Sequence, residues 1–252
     1  MPYVRLATGR VHFAERGERR AGSPSVLFIH GAGASATIWS MVLARVARHR
    51  HTIAIDLPGH GPSELGDGPP TIERYRDAVG GLAAMLCLGP SVLVGHSLGA
   101  LVAIEAALAW PDKVLGLVLC AAAPRMPVDP EVFRLLRDDP DGFVPWLADH
   151  ALSPRAKPAI RRGFLAANML AGASRGAEIA RADFEIVQAT DLTERLTSVA
   201  CPITWLDGAD ESMVPAAQRT AERPGAIVSV PEAGHLLPIE APGAIASVLA
   251  GQ

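Results

Sequence analysis

Residues 92–101 read Val92-Leu93-Val94-Gly95-His96-Ser97-Leu98-Gly99-Ala100-Leu101. A short Val-rich run ends, a serine sits between two glycines, and a second apolar run begins at once. The first run is brief and β-branched, as a strand is. The second, 100–109, is too long and too Ala-rich for a strand and reads as a helix. The turn joining them must reverse the chain within 95–99, which holds the apical serine in a strained backbone conformation. Gly95 and Gly99 carry no Cβ, so strand and helix can approach closely around it. Ser97 then projects its hydroxyl clear of the sheet, at a helix N-terminus whose free N–H groups and dipole favour negative charge. This is the G-x-S-x-G nucleophile elbow, a strand–turn–helix device for presenting a serine.

The segments around the elbow repeat its alternation. Upstream, 26–29 is a continuous apolar run, as a strand buried on both faces requires. It ends in His30-Gly31-Ala32-Gly33, and a helix is expected over 36–47. A second buried strand at 52–55 leads into Asp56-Leu57-Pro58-Gly59-His60-Gly61-Pro62-Ser63. A helix then starts near Thr71, a good N-cap, with Ile72, Tyr75, Val79, Leu82 and Leu86 on its buried face. Residues 3–7 and 10–15, joined at Thr8-Gly9, read as an opening antiparallel hairpin. Downstream, 114–119 is another strand. Strands alternating with helices imply crossover connections and a mostly parallel sheet covered on both faces.

The alternation stops at Ala121. Residues 124–196 show no clear strand, only amphipathic stretches at 131–136, 143–152, 159–170 and 177–189, punctuated by proline and glycine. The strand pattern returns at 203–206 and 226–230, with helices from about Pro215 and Pro238. The expected organisation is an α/β core of residues 1–121 and 197–252 with a helical lobe, 122–196, inserted between its halves.

Composition bounds the chemistry. The 252 residues are 49% hydrophobic and 19% charged, which suits a sizeable core. A formal net charge of −3 gives no reason to expect a nucleic-acid partner. The three cysteines, Cys87, Cys120 and Cys201, lack C-x-x-C spacing and read as buried small hydrophobes of a reducing compartment. No signal-peptide core and no membrane-length apolar run is visible, so a soluble cytoplasmic protein is expected.

A serine needs a base. Of the eight histidines, His235 follows the last apolar strand and precedes the last helix. In a parallel sheet the loops beyond the strand C-termini share one edge, and ligands bind there. Ser97 and His235 both occupy such loops. His30 and His60 sit in glycine turns, where hydrogen-bonding roles fit better, and the side chain of His96 should point away from that of its neighbour Ser97. The base needs a carboxylate to set its tautomer. The loop after 203–206 reads Asp207-Gly208-Ala209-Asp210-Glu211-Ser212-Met213-Val214-Pro215 and offers three acids. An acyl-transfer oxyanion needs two backbone N–H donors. Leu98, following the serine, supplies one. The turn 30–33 supplies the other, with Ala32 the first choice and Gly33 the second.

Taken together, the motifs at 30–33, 56–61 and 95–99, the acid loop ending at Pro215, and Gly234-His235 resemble the α/β-hydrolase superfamily. They are most similar to its small serine esterases, among them pimeloyl-carrier-protein methyl ester esterases. The resemblance covers nearly the whole chain outside the inserted lobe. It implies an α/β-hydrolase fold with an eight-stranded, mostly parallel sheet, helices on both faces and a helical cap, and no metal or organic cofactor. The family's acid loop runs G-x-x-D-x-x-x-P. Aligned on Gly208 and Pro215, that position holds Glu211, with Asp210 one place earlier, so Glu211 is favoured and Asp210 is the alternative.

The expected activity is carboxylic-ester hydrolysis through an acyl-enzyme. A thioesterase, lactonase, carbon–carbon bond hydrolase or perhydrolase would use the same residues, and a catalytically silent ligand-binding relative is the reading from another class. Gly31, Phe143 and Trp146 are the expected substrate contacts. Phe133, Leu136, Leu147, Phe164, Met169 and Phe184 are further apolar candidates in the lobe. Residues 125–195 hold ten basic and eleven acidic side chains, so the lobe has no net steering field. Arg155, Lys157, Arg161 and Arg162 cluster locally; a carrier protein could dock there, though a solvated helix face is the plainer account. The expected partner is a small-molecule ester, without nucleic acid or membrane, acting on a monomer or homodimer.

Overall fold

A computed structural model describes residues 2–169, 173–220 and 223–251. Eight strands form one sheet: β1 (Tyr3–Leu6), β2 (Gly9–Arg16), β3 (Val26–Ile29), β4 (Thr52–Ile55), β5 (Ser91–His96), β6 (Val114–Cys120), β7 (Ile203–Gly208) and β8 (Ala226–Val230). Their spatial order is β1-β2-β4-β3-β5-β6-β7-β8. β1 and β2 form the antiparallel hairpin, β2 meets β4 antiparallel, and every later pairing is parallel.

The central strands are continuous apolar runs because both faces are covered. Along β3, Leu27 and Ile29 enter one core with Leu93 of β5, while Val26 and Phe28 enter the opposite core with Val92 and Val94. Burying each such side chain contributes roughly 1.5–3 kcal/mol. The helices α2 (Ile72–Met85) and α3 (Leu98–Ala109) cover the first face. The second face carries α1 (Ser40–Val46) and α10 (Pro242–Ala250). Thr71 caps α2 as expected, its hydroxyl accepting from Arg74 N at 3.2 Å. The expected helix at 36–47 is divided into a 3₁₀ turn, Ala36–Trp39, followed by α1. The last helix is likewise split, into α9 (Leu237–Glu240) and α10, at Ala241-Pro242, where proline has no N–H to continue the ladder.

Between β6 and β7 run α4 (Pro130–Asp138), α5 (Pro140–Ala151), α6 (Pro158–Met169) and α7 (Ala173–Ala189), with no β-strand among the described residues; α8 (Ala216–Thr220) follows β7. These inserted helices have a small core of their own around Val132, Leu136, Phe143 and Phe184. Leu170 and the Met169 side chain lie outside the described residues. Cys87 corrects one expectation: it is exposed, at φ +48°, just beyond the end of α2, whereas Cys120 is buried in the sheet. No helix among the described residues is long and apolar enough to cross a membrane.

Candidate active site

Ser97 stands between β5 and α3 at φ +52° and ψ −119°. That conformation costs a non-glycine residue about 1–3 kcal/mol, so its surroundings must enforce it. They do. The Ser97 N–H donates to Cys120 O at 3.0 Å, tying the turn to β6. A Cβ on Gly95 would come within 2.3 Å of Gly99 O, and one on Gly99 within 2.3 Å of Ile29 O. The elbow therefore closes only with glycine at both positions. The loops after β6 and β8 also carry non-glycine residues at positive φ, Ala121 at +50° and Glu232 at +55°.

On the same sheet edge, His235 Nδ1 lies 2.8 Å from Glu211 Oε2, and both residues are buried. The other carboxylate oxygen, Oε1, accepts from Met213 N at 2.7 Å and Val214 N at 3.1 Å. Burial alone would raise the Glu211 carboxyl. The facing His235 ring, its hydrogen bond and the two amides outweigh burial and hold the acid below its ordinary value. Asp210 faces away. It accepts from Ser153 Oγ at 2.6 Å and Arg155 Nη2 at 2.5 Å. Asp207 is engaged by Arg223 Nη2 at 2.5 Å, in a buried pair under Trp205. Of the three acids in the loop, Glu211 is the one that meets His235.

The turn after β3 packs directly on the elbow. A Cβ on Gly31 would stand 3.2 Å from Ser97 Cβ and 2.8 Å from His96 Nδ1. The Gly33 N–H donates to Asp183 Oδ2 at 2.8 Å. Among the described residues, neither the Ala32 N–H nor the Leu98 N–H has an acceptor. His30 braces this turn: Leu57 N donates to its Nε2 at 3.1 Å, so Nδ1 carries the proton and donates to Gly31 O at 2.8 Å. Burial, and then the neighbouring His60, push the His30 pKa down to about 3, keeping the ring neutral. His96 is pushed down to about 3 by burial and then by His235; its Nε2–H donates to the His235 carbonyl at 2.9 Å. The histidine beside the serine thus holds the His235 loop through its backbone.

Ser97 and His235 open onto one cavity of about 100 Å³. Its walls are mainly apolar, with Met126, Val128, Phe184 and Met213, and Asp129 also lines it. Trp146 and His150 line it too, their rings stacked 4.1 Å apart. Phe143, expected as a substrate contact, is absent from the walls. It packs inside the inserted helices, edge-on to Phe184 at 5.9 Å. The aromatic face that reaches the cavity from α5 belongs to Trp146, three residues on. Among the described residues, no cluster of three or more His, Cys, Asp or Glu could hold a metal ion.

Three residues that hold these loops escaped the sequence reading. Asp183, in α7, reaches the turn after β3. Ser153, just past α5, grips Asp210 with its hydroxyl and donates its N–H to Glu240 Oε1 at 2.7 Å. Glu240 also accepts from Gly234 N at 3.1 Å, beside His235. Only Asp183 carries a readable signal. It lies on the same helix face as Ile179, Ala180 and Val187, so an acid interrupts an apolar stripe.

The geometry agrees with what the chain resembles among known proteins. It is 28% identical to the pimeloyl-[acyl-carrier protein] methyl ester esterase of Pseudoalteromonas atlantica, over 86% of this chain and 90% of that protein. It is 38% identical to an uncharacterized protein of Mycobacterium tuberculosis, over 44% of this chain and 33% of that protein, so the chain spans about a third of this relative's length. Among solved structures, a thermophilic esterase from Thermogutta terrifontis superposes with a TM-score of 0.85 at 26% identity, covering 100% of this chain and 97% of the esterase. The sequence model described as "Alpha/beta hydrolase family" matches residues 26–248, the span from β3 to α10 that carries Ser97, Glu211 and His235. An elbow serine, a buried acid–histidine pair and a mostly parallel eight-stranded sheet therefore come with the sequence-level match that this architecture calls for: the chain belongs to the alpha/beta hydrolase family.

Proposed function

We propose that the protein hydrolyses carboxylic esters through an acyl-enzyme, with Ser97 as nucleophile, His235 as base and Glu211 as the acid that orients it. The supporting observation is the buried 2.8 Å contact between His235 Nδ1 and Glu211 Oε2, on the sheet edge where Ser97 shares the cavity with His235. Glu211 keeps the proton on Nδ1, leaving Nε2 free to accept one. Ser97 Oγ attacks the ester carbonyl carbon as its proton passes to His235 Nε2. The carbonyl π pair moves to oxygen, and the Ala32 and Leu98 N–H groups receive that oxyanion. Collapse breaks the bond to the alkoxide, which leaves with the proton from Nε2. Water repeats the sequence on the acyl-enzyme, releasing the carboxylic acid and restoring Ser97.

The substrate in this reading is a small-molecule ester with a short to medium, uncharged acyl group. Mainly apolar walls and Asp129 at the cavity favour neutral chains over anionic ones. The inserted residues 122–196 act as the cap that supplies most of those walls, with Met213 of the acid loop completing them. The acyl carrier named for the Pseudoalteromonas relative is not carried over. Arg155 is paired with Asp210 and Arg161 with Asp149, so half of the basic cluster is already engaged. The test is Ser97→Ala assayed with p-nitrophenyl acetate. A folded variant should lose on the order of 10⁴–10⁶ in kcat. Near-normal turnover by that folded variant would refute the mechanism.

A further inference from the structure

Asp183 lies in α7, far in sequence from every residue of the elbow, and its side chain is fully buried. A carboxylate can only accept, and it is offered three donors. Gly33 N reaches Oδ2 at 2.8 Å, His60 Nε2 reaches Oδ2 at 2.7 Å, and the Tyr75 hydroxyl reaches Oδ1 at 2.6 Å. His60 Nδ1 also donates, to Pro58 O at 3.2 Å. With both ring nitrogens donating, His60 is an imidazolium, and the buried carboxylate has its counter-ion. His30, with its ring centre 4.8 Å from that of His60, is neutral and adds little repulsion.

The Gly33 bond is the consequential one. It comes from the amide one residue past Ala32, in a turn that already needs φ +63° at Gly33. The same helix also presses on the turn, since a Cβ at Gly33 would stand 3.1 Å from Ala180 Cβ. Asp183 thereby consumes the Gly33 N–H and leaves the Ala32 N–H without an acceptor beside the elbow. We infer that Asp183 is a positioning residue: from the inserted helix it fixes the turn 31–33 so that the Ala32 amide, and not that of Gly33, faces the oxyanion formed at Ser97. The inference rests on the Ser97 hydrolase reading.

The experiment compares Asp183→Leu with Tyr75→Phe in steady-state hydrolysis of p-nitrophenyl acetate. Inhibition by an alkyl trifluoromethyl ketone, which a serine nucleophile converts into a tetrahedral adduct, is measured alongside. A single oxyanion donor is worth about 10²–10³ in kcat, and a misaligned one forfeits part of that. Asp183→Leu, of similar shape but with no acceptor for the Gly33 N–H, should therefore lose about 10–10² in kcat, with KM changed less than about threefold and ketone affinity weakened by a similar factor. Tyr75→Phe removes one partner of Asp183 but not the Gly33 bond, and should keep kcat within about threefold whatever it does to stability. Equal losses in the two variants would reduce Asp183 to a purely structural residue and overturn the inference. So would unchanged kcat and ketone affinity in folded Asp183→Leu. If Asp183→Leu does not fold, the decision passes to Asp183→Glu, which keeps the charge but moves it outward. A folded Asp183→Glu should show the same loss in kcat at near-constant KM, and full kcat would overturn the inference. The Ser97→Ala control separates the two failures. Turnover without Ser97 sinks the hydrolase reading, whereas an inactive Ser97→Ala beside an unimpaired Asp183→Leu sinks only the role of Asp183.

Discussion

Replacing Glu211 by glutamine tests the acid with almost no change of shape, and the structure says which way the amide will turn. Oε1 accepts two backbone N–H groups, from Met213 and Val214. An NH₂ turned toward them would set donors against donors in a buried site, at about 1–3 kcal/mol for each unsatisfied group. The amide oxygen must stay there, so the NH₂ takes the place of Oε2 and donates to His235 Nδ1. That forces the histidine proton onto Nε2, the nitrogen that has to accept from Ser97. The wrong tautomer should lower kcat by about 10³–10⁴, equivalent to about 4–5.5 kcal/mol of barrier. KM should move little. In the same assay Asp210→Asn breaks a partly exposed pair with Arg155 and should stay within a few-fold of wild type. Acid titration supplies an independent reading. The Glu211 pKa is held below its ordinary 4.5, so the ionised form stabilises the fold above about that pH, and this contribution is lost as pH falls through the lowered value. The stability gap between wild type and Glu211→Gln should therefore be full at neutral pH and close in acid. Collapse of Asp210→Asn with Glu211→Gln nearly intact would refute the assignment.

Three other expectations follow from the same structure. Across a series of p-nitrophenyl esters, kcat/KM should be highest from acetyl to hexanoyl and fall for longer or carboxylate-bearing chains; a steady rise with chain length, or dependence on a carrier protein, would show that the cavity was misread. Gly99→Ala places a Cβ 2.3 Å from the Ile29 carbonyl oxygen and should destabilise by at least about 1–3 kcal/mol, seen by calorimetry as a loss of roughly 2–12 °C in Tm. Burial disfavours the His60 imidazolium, but the charge and hydrogen bond of Asp183 outweigh it and raise the pKa above 6.5; the stabilisation is complete below about pH 6.5 and lost as pH climbs through the raised value, so the Tm advantage of wild type over His60→Gln should shrink on the alkaline side.

What was legible in the sequence was whatever a local pattern dictates. Apolar runs of four to six residues alternating with helices specify a parallel sheet, and two glycines around one serine specify the elbow. The choice between Asp210 and Glu211 was not local. Their directions are distinguished by Ser153 and Arg155, which approach Asp210 from beyond α5, and by His235, which approaches Glu211 from beyond β8. The spacing to Pro215 favoured Glu211 without being able to name these partners. Phe143 and Trp146 show the same limit. Both are aromatic and near each other on one helix, and only the packing of Phe184 shows which of them is interior.

The inserted helices touch each of the three loops on which the proposed chemistry depends. Asp183 of α7 holds the turn after β3 through Gly33. The carbonyl of Ala151, at the end of α5, accepts from His235 N at 2.7 Å. Ser153, two residues later, holds Asp210 in the acid loop and, through Glu240, the approach to His235. Loops at the end of a parallel sheet have few partners from the sheet itself, because its ladder bonds are spent between strands. Something outside the sheet has to restrict them if a serine, a histidine and two amides are to keep a common geometry. Here that restriction comes from backbone, hydroxyl and carboxylate contacts on the insertion, and its apolar side chains separately form most of the cavity wall. In the proposed reaction, substitutions among Met126, Val128, Trp146 and Phe184 would therefore retune which acyl groups enter, while changes at Asp183 or Ser153 would act on the geometry of the reacting groups. The two classes of residue interleave along the same segment, and contacts rather than sequence position tell them apart.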